Sequence, residues 1–261
     1  MTTQDPQPDR PSPRGTPGLK RFVGEVGRRM LRFGSLVREN VELFGLTLRY
    51  TFVGRRRRQR LTEQMFDIGN RSMLFIAVTL GFLGMILIFQ AGYQAQRITG
   101  DLRMLGPLFL QLLFREFGPT ITALMVATRA GTGMAAQLGS MVVTEQIDAL
   151  RMSAAEPVDY LVVPRFIAST LMVPVLTVFG MLVSFGAGAI TANVVFDVNY
   201  YTFVDLGMIE AFDIVIGFTK AFAYGLVIPI VACHAGLSVS GGSAGVGRAT
   251  TDAVVRCSLS V

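Results

Sequence analysis

Three stretches, Ser72 to Gln96, Phe166 to Phe196 and Ala221 to Gly247, contain no Asp, Glu, Lys or Arg. Each is longer than the roughly 20 residues a helix needs to cross the hydrocarbon of a bilayer. In lipid every backbone N–H and C=O must be bonded within the protein, so runs this apolar fold as membrane-crossing helices. The rest of the chain agrees: 51% of its 261 residues are apolar, 16% are charged and there is no Trp. The expected class is an all-α, multi-pass integral membrane protein.

The formal net charge of +6 does not point to nucleic acid, because the basic residues are concentrated before residue 72, beside the first apolar run. Residues 1–70 hardly supply the core a nucleic-acid module would need. Seven arginines lie between Arg49 and Arg71, whereas only Arg97 and Arg103 follow the first run. That asymmetry predicts a cytosolic N-terminus. Cys233 and Cys257 are both expected in or near membrane helices toward the cytosolic side and imply no disulfide framework. No cleavable leader is expected at the N-terminus.

Taken in order, the chain divides into a polar, proline-rich tail (1–18), interfacial helices (19–66) and a membrane domain (67–261). Phe22, Val23, Val26, Met30, Phe33 and Val37 recur at helical spacing among Lys20, Arg21, Arg28, Arg29, Arg32 and Arg38, the pattern of a basic amphipathic helix on a membrane surface. Arg55 to Arg58, with Arg60, extend the cationic patch. The first span carries Gly81, Gly84 and Gly92, which permit close helix approach, and Phe89 and Tyr93 near its far end, which either line a cavity or form an interfacial belt. Further spans are expected over about 105–136, 162–193 and 214–237. A glycine-rich turn, Ser238 to Arg248, precedes a fifth helix from Ala249 that is incomplete as a span.

The most informative stretch is Arg115 to Arg165. Its apolar part is long enough to cross a membrane yet holds Arg115, Glu116 and Arg129. Each charge costs roughly 2.5–3.5 kcal/mol at a bilayer centre, so each needs a partner. Arg115 and Glu116 are consecutive, about 100° apart on a helix, and must find different ones. Lys220, inside the fourth span, is one candidate. After this segment comes a short helix over about 143–152, in which Ile147 and Leu150 share a face with Val143 while Glu145, Gln146, Asp148, Ala149 and Arg151 fill the remainder. Such a helix either fits a groove on a soluble partner or lies among lipid headgroups.

Catalytic chemistry finds little support. In Gly242 to Ala249 a phosphate loop would need Lys and Ser or Thr where Arg248 and Ala249 stand. His234 and Ser238 are four apart on a helix, but neither GxSxG nor an orienting acid accompanies them. One His and two separated Cys do not make a metal site. The chain is expected to be no enzyme and to bind no cofactor of its own.

The order of residues adds a resemblance. The motifs REFGP at 115–119, RAGxxMAAQLGxMxVTEQIDALR at 129–151 and PVxYLVVPR at 157–165 closely resemble the permease subunit of MlaE/YrbE-type ABC lipid transporters, the membrane partner of MCE-domain proteins. The match is strongest over these fifty residues and continues from about Leu61 to the end. The resemblance implies that Glu145 to Arg151 is a coupling helix docking on a separate ABC ATPase, which would hold the ATP and Mg. It further implies two permease subunits, copies or paralogues, a lipid cargo (phospholipid, fatty acid or sterol), and MCE-domain proteins on the external face. Arg115, Glu116 and Lys220 match family positions beside a lipid cavity, and Phe89, Tyr93 and Arg129 join them as candidate lining. Gln137 departs from the pattern, standing where the family usually has Glu. The arginine-rich N-terminus resembles a YrbE permease of an actinobacterial Mce system. The alternative is a membrane scaffold or receptor that recruits a cytosolic partner through the 143–152 helix without transport.

Overall fold

The computed structural model describes residues 17–53, 58–98, 100–205, 207 and 210–261. Residues 1–16 of the expected tail and Arg55 to Arg57 of the cationic patch lie outside the described residues, as do the side chains of Lys20, Phe22, Arg28, Arg29, Arg32, Phe33 and the others before Met30. Every regular element among the described residues is helical.

The chain forms two compact units, residues 1–41 and 42–261. Helix α1 (Pro17–Val53) makes up the first unit among described residues and contributes its last residues to the second. The second unit continues with α2 (Arg58–Ile68), α3 (Asn70–Ile98), α4 (Leu105–Leu112), α5 (Gly118–Val126), α6 (Thr132–Val143), α7 (Gln146–Met152), α8 (Val163–Phe196), α9 (Tyr200–Phe203), α10 (Ala211–Leu237) and α11 (Gly242–Ser260). Among the described residues three helical stretches are long and apolar enough to cross a membrane: Gln59–Ile98, Val158–Phe196 and Ala211–Leu237.

The second expected span is a jointed one. From Leu105 to Val143 the chain stays helical but passes through two π-turns, Leu113–Phe117 and Ala127–Gly131, which hold Arg115, Glu116 and Arg129. A π-turn inserts one residue into the helical ladder and re-aims the side chains around it, and such turns are frequent at functional sites. A third, Val158–Val162, leads into α8.

The helices show the inverted pattern of a membrane protein. On α3 the buried face is Ser72, Ile76, Leu80, Gly81, Gly84, Ile88 and Gly92, while the exposed face presents Leu74, Phe75, Val78, Phe82, Ile86 and Phe89. An outward face this apolar suits lipid, and an inward face with small residues lets backbones approach. A Cβ on Gly84 would run into the Ser184 carbonyl of α8, so glycine there sets the α3–α8 spacing. Proline inside a span frees a carbonyl: Pro229 has no N–H for the Gly225 carbonyl, and the Thr170 hydroxyl of α8, which donates to the Phe166 carbonyl at 2.8 Å, approaches that oxygen at 3.4 Å.

The glycine-rich stretch differs from expectation. The turn is confined to residues 238–241, and α11 begins at Gly242, earlier than Ala249. Gly241 (φ 88°) makes the reversal, and a Cβ on Gly245 would strike the Ser240 carbonyl. These glycines serve a tight turn and close packing rather than a loop.

Candidate coupling helix and intramembrane polar seam

Helix α7 is entered through a sharp turn in which Glu145 adopts a left-handed backbone (φ 57°) and left through another at Ala154 (φ 57°). Its apolar ridge points inward. Ile147 is 6% exposed and packs with Leu43, Leu138, Leu161, Val162 and Phe166, and Leu150 joins the edge of that cluster. A seven-residue helix has one narrow apolar face, and the shared face of Ile147 and Leu150 is taken by the joint between α6 and α8, so a groove on a partner would meet the polar faces of α7. What α7 presents outward is Glu145, Gln146, Asp148, Ala149, Arg151 and Met152, the last 85% exposed. Arg151 Nη1 lies 3.3 Å from Asp148 Oδ1 across one turn. An exposed pair of this kind contributes little stability and remains available for exchange with a partner's charges.

The charged residues of the jointed span find the separate partners their 100° offset demands. Lys220 Nζ of α10 lies 2.7 Å from Glu116 Oε2 and donates to the Arg115 carbonyl at 3.0 Å. Arg115 Nη1 faces Asp213 Oδ1 at 4.0 Å, and Gln111 Nε2 donates to Asp213 Oδ2 at 3.2 Å. Asp213 is 3% exposed and also belongs to a capping box with Glu210 at the start of α10. Gly217 lets the helices close: a Cβ there would meet the Phe114 carbonyl. Beside this seam is a shallow surface notch of about 10 Å³, room for roughly one water molecule, lined by Phe114, Thr177, Met181, Gly217, Phe218 and Ala221.

Arg129 sits apart, in the second π-turn, with Nη1 donating to Ser72 Oγ of α3 at 2.8 Å. Phe89 and Tyr93 do not border the seam. They form an aromatic trio with Phe196 between α3 and α8, with ring centroids 4.9 Å apart for Phe89–Tyr93 and 5.5 Å for Tyr93–Phe196.

Several polar residues were not singled out from sequence. Arg165 of α8 is 7% exposed; it donates to the Leu161 carbonyl at 2.7 Å and to Gln137 Oε1 at 3.0 Å. The residue that replaces the family's usual Glu thus gives a buried cation a neutral acceptor. Arg60 of α2 stacks over the Tyr160 ring at 3.5 Å and hydrogen-bonds its hydroxyl. Asp213 carried a readable signal, an acid three residues after Glu210 at a helix start, whereas Arg60–Tyr160 joins residues too distant in sequence for any local pattern. His234, Cys233 and Cys257 are buried, and no cluster able to hold a metal occurs among the described residues.

Comparison with known proteins agrees with this geometry. Residues 61–261 match the family model described as Permease MlaE. A probable ABC transporter permease of Synechocystis is 36% identical over 221 residues, 84% of either chain. The Haemophilus influenzae intermembrane phospholipid transport system permease protein MlaE is 31% identical over 244 residues, 92% of this chain and 93% of that one. The Arabidopsis thaliana chloroplast protein TRIGALACTOSYLDIACYLGLYCEROL 1 is 35% identical over 195 residues, 74% of this chain and 55% of that one. The chain belongs to the MlaE permease family and is the non-catalytic membrane permease of an ABC-type transporter, a role that implies a separate ATPase subunit.

Proposed function

We propose that this permease couples ATP hydrolysis on its partner ATPase to the movement of lipid, with α7 as the point where force enters. The observation that carries the reading is the seating of Ile147: α7 is wedged into the joint between α6 and α8 while Glu145, Gln146, Asp148, Ala149, Arg151 and Met152 face outward. A push on that face is passed through a packed side chain to the jointed span and to α8, rather than absorbed by a loose loop. The ATPase would hold ATP and Mg. A second permease, copy or paralogue, and MCE-domain proteins on the opposite face complete the assembly, in a bacterial inner membrane with the N-terminus cytosolic. The arginine asymmetry around the first span supports that orientation.

The cargo reading rests on the seam. Arg115, Glu116, Asp213 and Lys220 place paired charges on helices whose outward faces are apolar, which supports contact with a polar lipid headgroup at this level. Phospholipid, fatty acid and sterol are the classes compatible with it, and an actinobacterial Mce system is one setting. The relative from Haemophilus influenzae is named for phospholipid transport.

The test replaces Glu145 and Asp148 with Lys in the complex. The expected result is an inserted permease that no longer recruits or stimulates its ATPase and no longer moves lipid. Normal ATPase recruitment together with normal lipid movement in that variant would overturn the coupling assignment. Recruitment of a soluble partner by the wild-type chain, with no lipid movement under any nucleotide condition, would favour a membrane scaffold instead.

A further inference from the structure

Four cations lie within the jointed span, α8 and α10: Arg115, Arg129, Arg165 and Lys220. Two are paired with carboxylates: Arg115 faces Asp213 and Lys220 pairs with Glu116. Arg165 donates to the Leu161 carbonyl and Gln137 while its Nε has no hydrogen-bond partner, and at 7% exposure it is closed to a ligand. Arg129 differs: it is only partly buried, its one hydrogen bond goes to Ser72, and no carboxylate among the described residues pairs with it.

A serine hydroxyl orients a guanidinium without neutralising it. Ser72 is fully buried in the first turn of α3, so it holds one edge of Arg129 at a fixed place. The neighbouring hydroxyls are committed elsewhere, Thr128 to the Met125 carbonyl and Thr132 to the Thr128 carbonyl. The π-turn Ala127–Gly131 turns Arg129 toward α3 while Ala127 and Gly131 stay buried. The guanidinium keeps its delocalised charge, and the donors not used on Ser72 form a fork that matches a phosphate or carboxylate in a bidentate fashion.

The position is also separate from the seam. Arg129 lies fourteen residues beyond Arg115 on one helical path, about 21 Å at 1.5 Å per residue, and on the α7 side. We propose that Arg129, anchored on Ser72, is a second binding station for the anionic group of a lipid, a phosphodiester or a carboxylate, distinct from the Arg115–Lys220 seam. The inference rests on the reading of the chain as a lipid permease.

The test uses the full permease–ATPase complex reconstituted in phosphatidylcholine, in one arm with added phosphatidylglycerol and in the other with added oleate. Lipid retained after gentle detergent extraction is identified by native mass spectrometry. Arg129→Gln is expected to lower retention of the anionic lipid about tenfold relative to phosphatidylcholine in one or both arms, as loss of a charge-assisted bidentate contact would do. Arg129→Lys should keep part of that retention, and Ser72→Ala should weaken it while leaving the charge. The arm that responds identifies phosphodiester or carboxylate. Equal anionic retention in wild type and Arg129→Gln in both arms overturns the proposal and assigns Arg129 to a protein partner. If Arg129→Gln fails to assemble, Ser72→Ala decides by the same readout. A wild-type complex that retains neither neutral nor anionic lipid would instead sink the permease's lipid reading itself.

Discussion

Lys220 Nζ stands 2.7 Å from Glu116 Oε2 and 3.0 Å from the Arg115 carbonyl, so one ammonium holds both the side chain and the backbone of a π-turn. The carbonyl is available because Pro119, four residues on, has no N–H to donate to it. The clamp ties α10 to the middle of the jointed span, the place where that span has to bend if it moves.

Removing one partner leaves an unpaired charge in the membrane body, whereas removing both does not. Lys220→Met and Glu116→Leu are each expected to destabilise the complex by about 1–3 kcal/mol, below the figure for a fully buried pair because both side chains are partly exposed. The double variant should cost less than the sum of the two. Thermal unfolding in one detergent, read as a double-mutant cycle, checks this; additive losses would mean that the pair is not coupled.

The glycine pattern separates spacing from mere smallness. Gly217→Ala would press a methyl group into the Phe114 carbonyl and Gly84→Ala into the Ser184 carbonyl, whereas nothing lies within 4 Å of a Cβ on Gly133 or Gly186. The first two should lose about 1–3 kcal/mol through forced separation of packed helices, and the last two should be neutral or slightly stabilising. Melting temperatures of the four variants, measured side by side, test the helix contacts directly.

Much of this architecture can be read from uncharged length alone, since a run like Ser72 to Gln96 has few alternatives to a membrane helix. The MlaE resemblance was equally legible in contiguous motifs, and the family match over residues 61–261 bears it out. Direction was not legible. Periodicity tells that Ile147 and Leu150 share a face, but an apolar face packs on whatever is nearest, and here that is the chain's own core. The π-turns were also hidden, because a single inserted residue shifts the apolar period too little to see, yet all three carry polar groups that reach another helix: Arg115 and Glu116 to α10, Arg129 to α3, Tyr160 to α2. The glycines at 241–247 suggested a loop because glycine disfavours helix, whereas packing against the Ser240 carbonyl supplies what propensity lacks at Gly245.

Gln137 gives a test of charge balance. Its Oε1 accepts from Arg165 Nη2 at 3.0 Å, and Arg165 is nearly buried. Gln137→Leu removes an acceptor from a buried cation and should cost about 1–3 kcal/mol. Gln137→Glu places a carboxylate where the neutral oxygen stood and should melt at or above the wild-type temperature. A lower melting temperature for Gln137→Glu than for Gln137→Leu would show that Arg165 is already neutralised by a group other than Gln137.

The last link lies where α2 meets the entry to α8. Arg60 stacks over Tyr160 and donates to its hydroxyl, and Tyr160 belongs to the π-turn that follows α7, so α2 is tied to the segment nearest the proposed point of force. Stacking of this kind contributes about 0.5–2 kcal/mol, and a neutral hydroxyl bond about 1 kcal/mol more. The order of loss should therefore be Tyr160→Phe, which keeps the ring, then Tyr160→Leu, which keeps neither contact. If the tie carries motion as well as stability, Tyr160→Leu should lower the lipid moved per ATP hydrolysed while ATPase recruitment through α7 is unchanged, and Tyr160→Phe should fall between. Equal lipid-to-ATP ratios in wild type and Tyr160→Leu, with a lower melting temperature in the variant, would confine Arg60–Tyr160 to holding α2 in place.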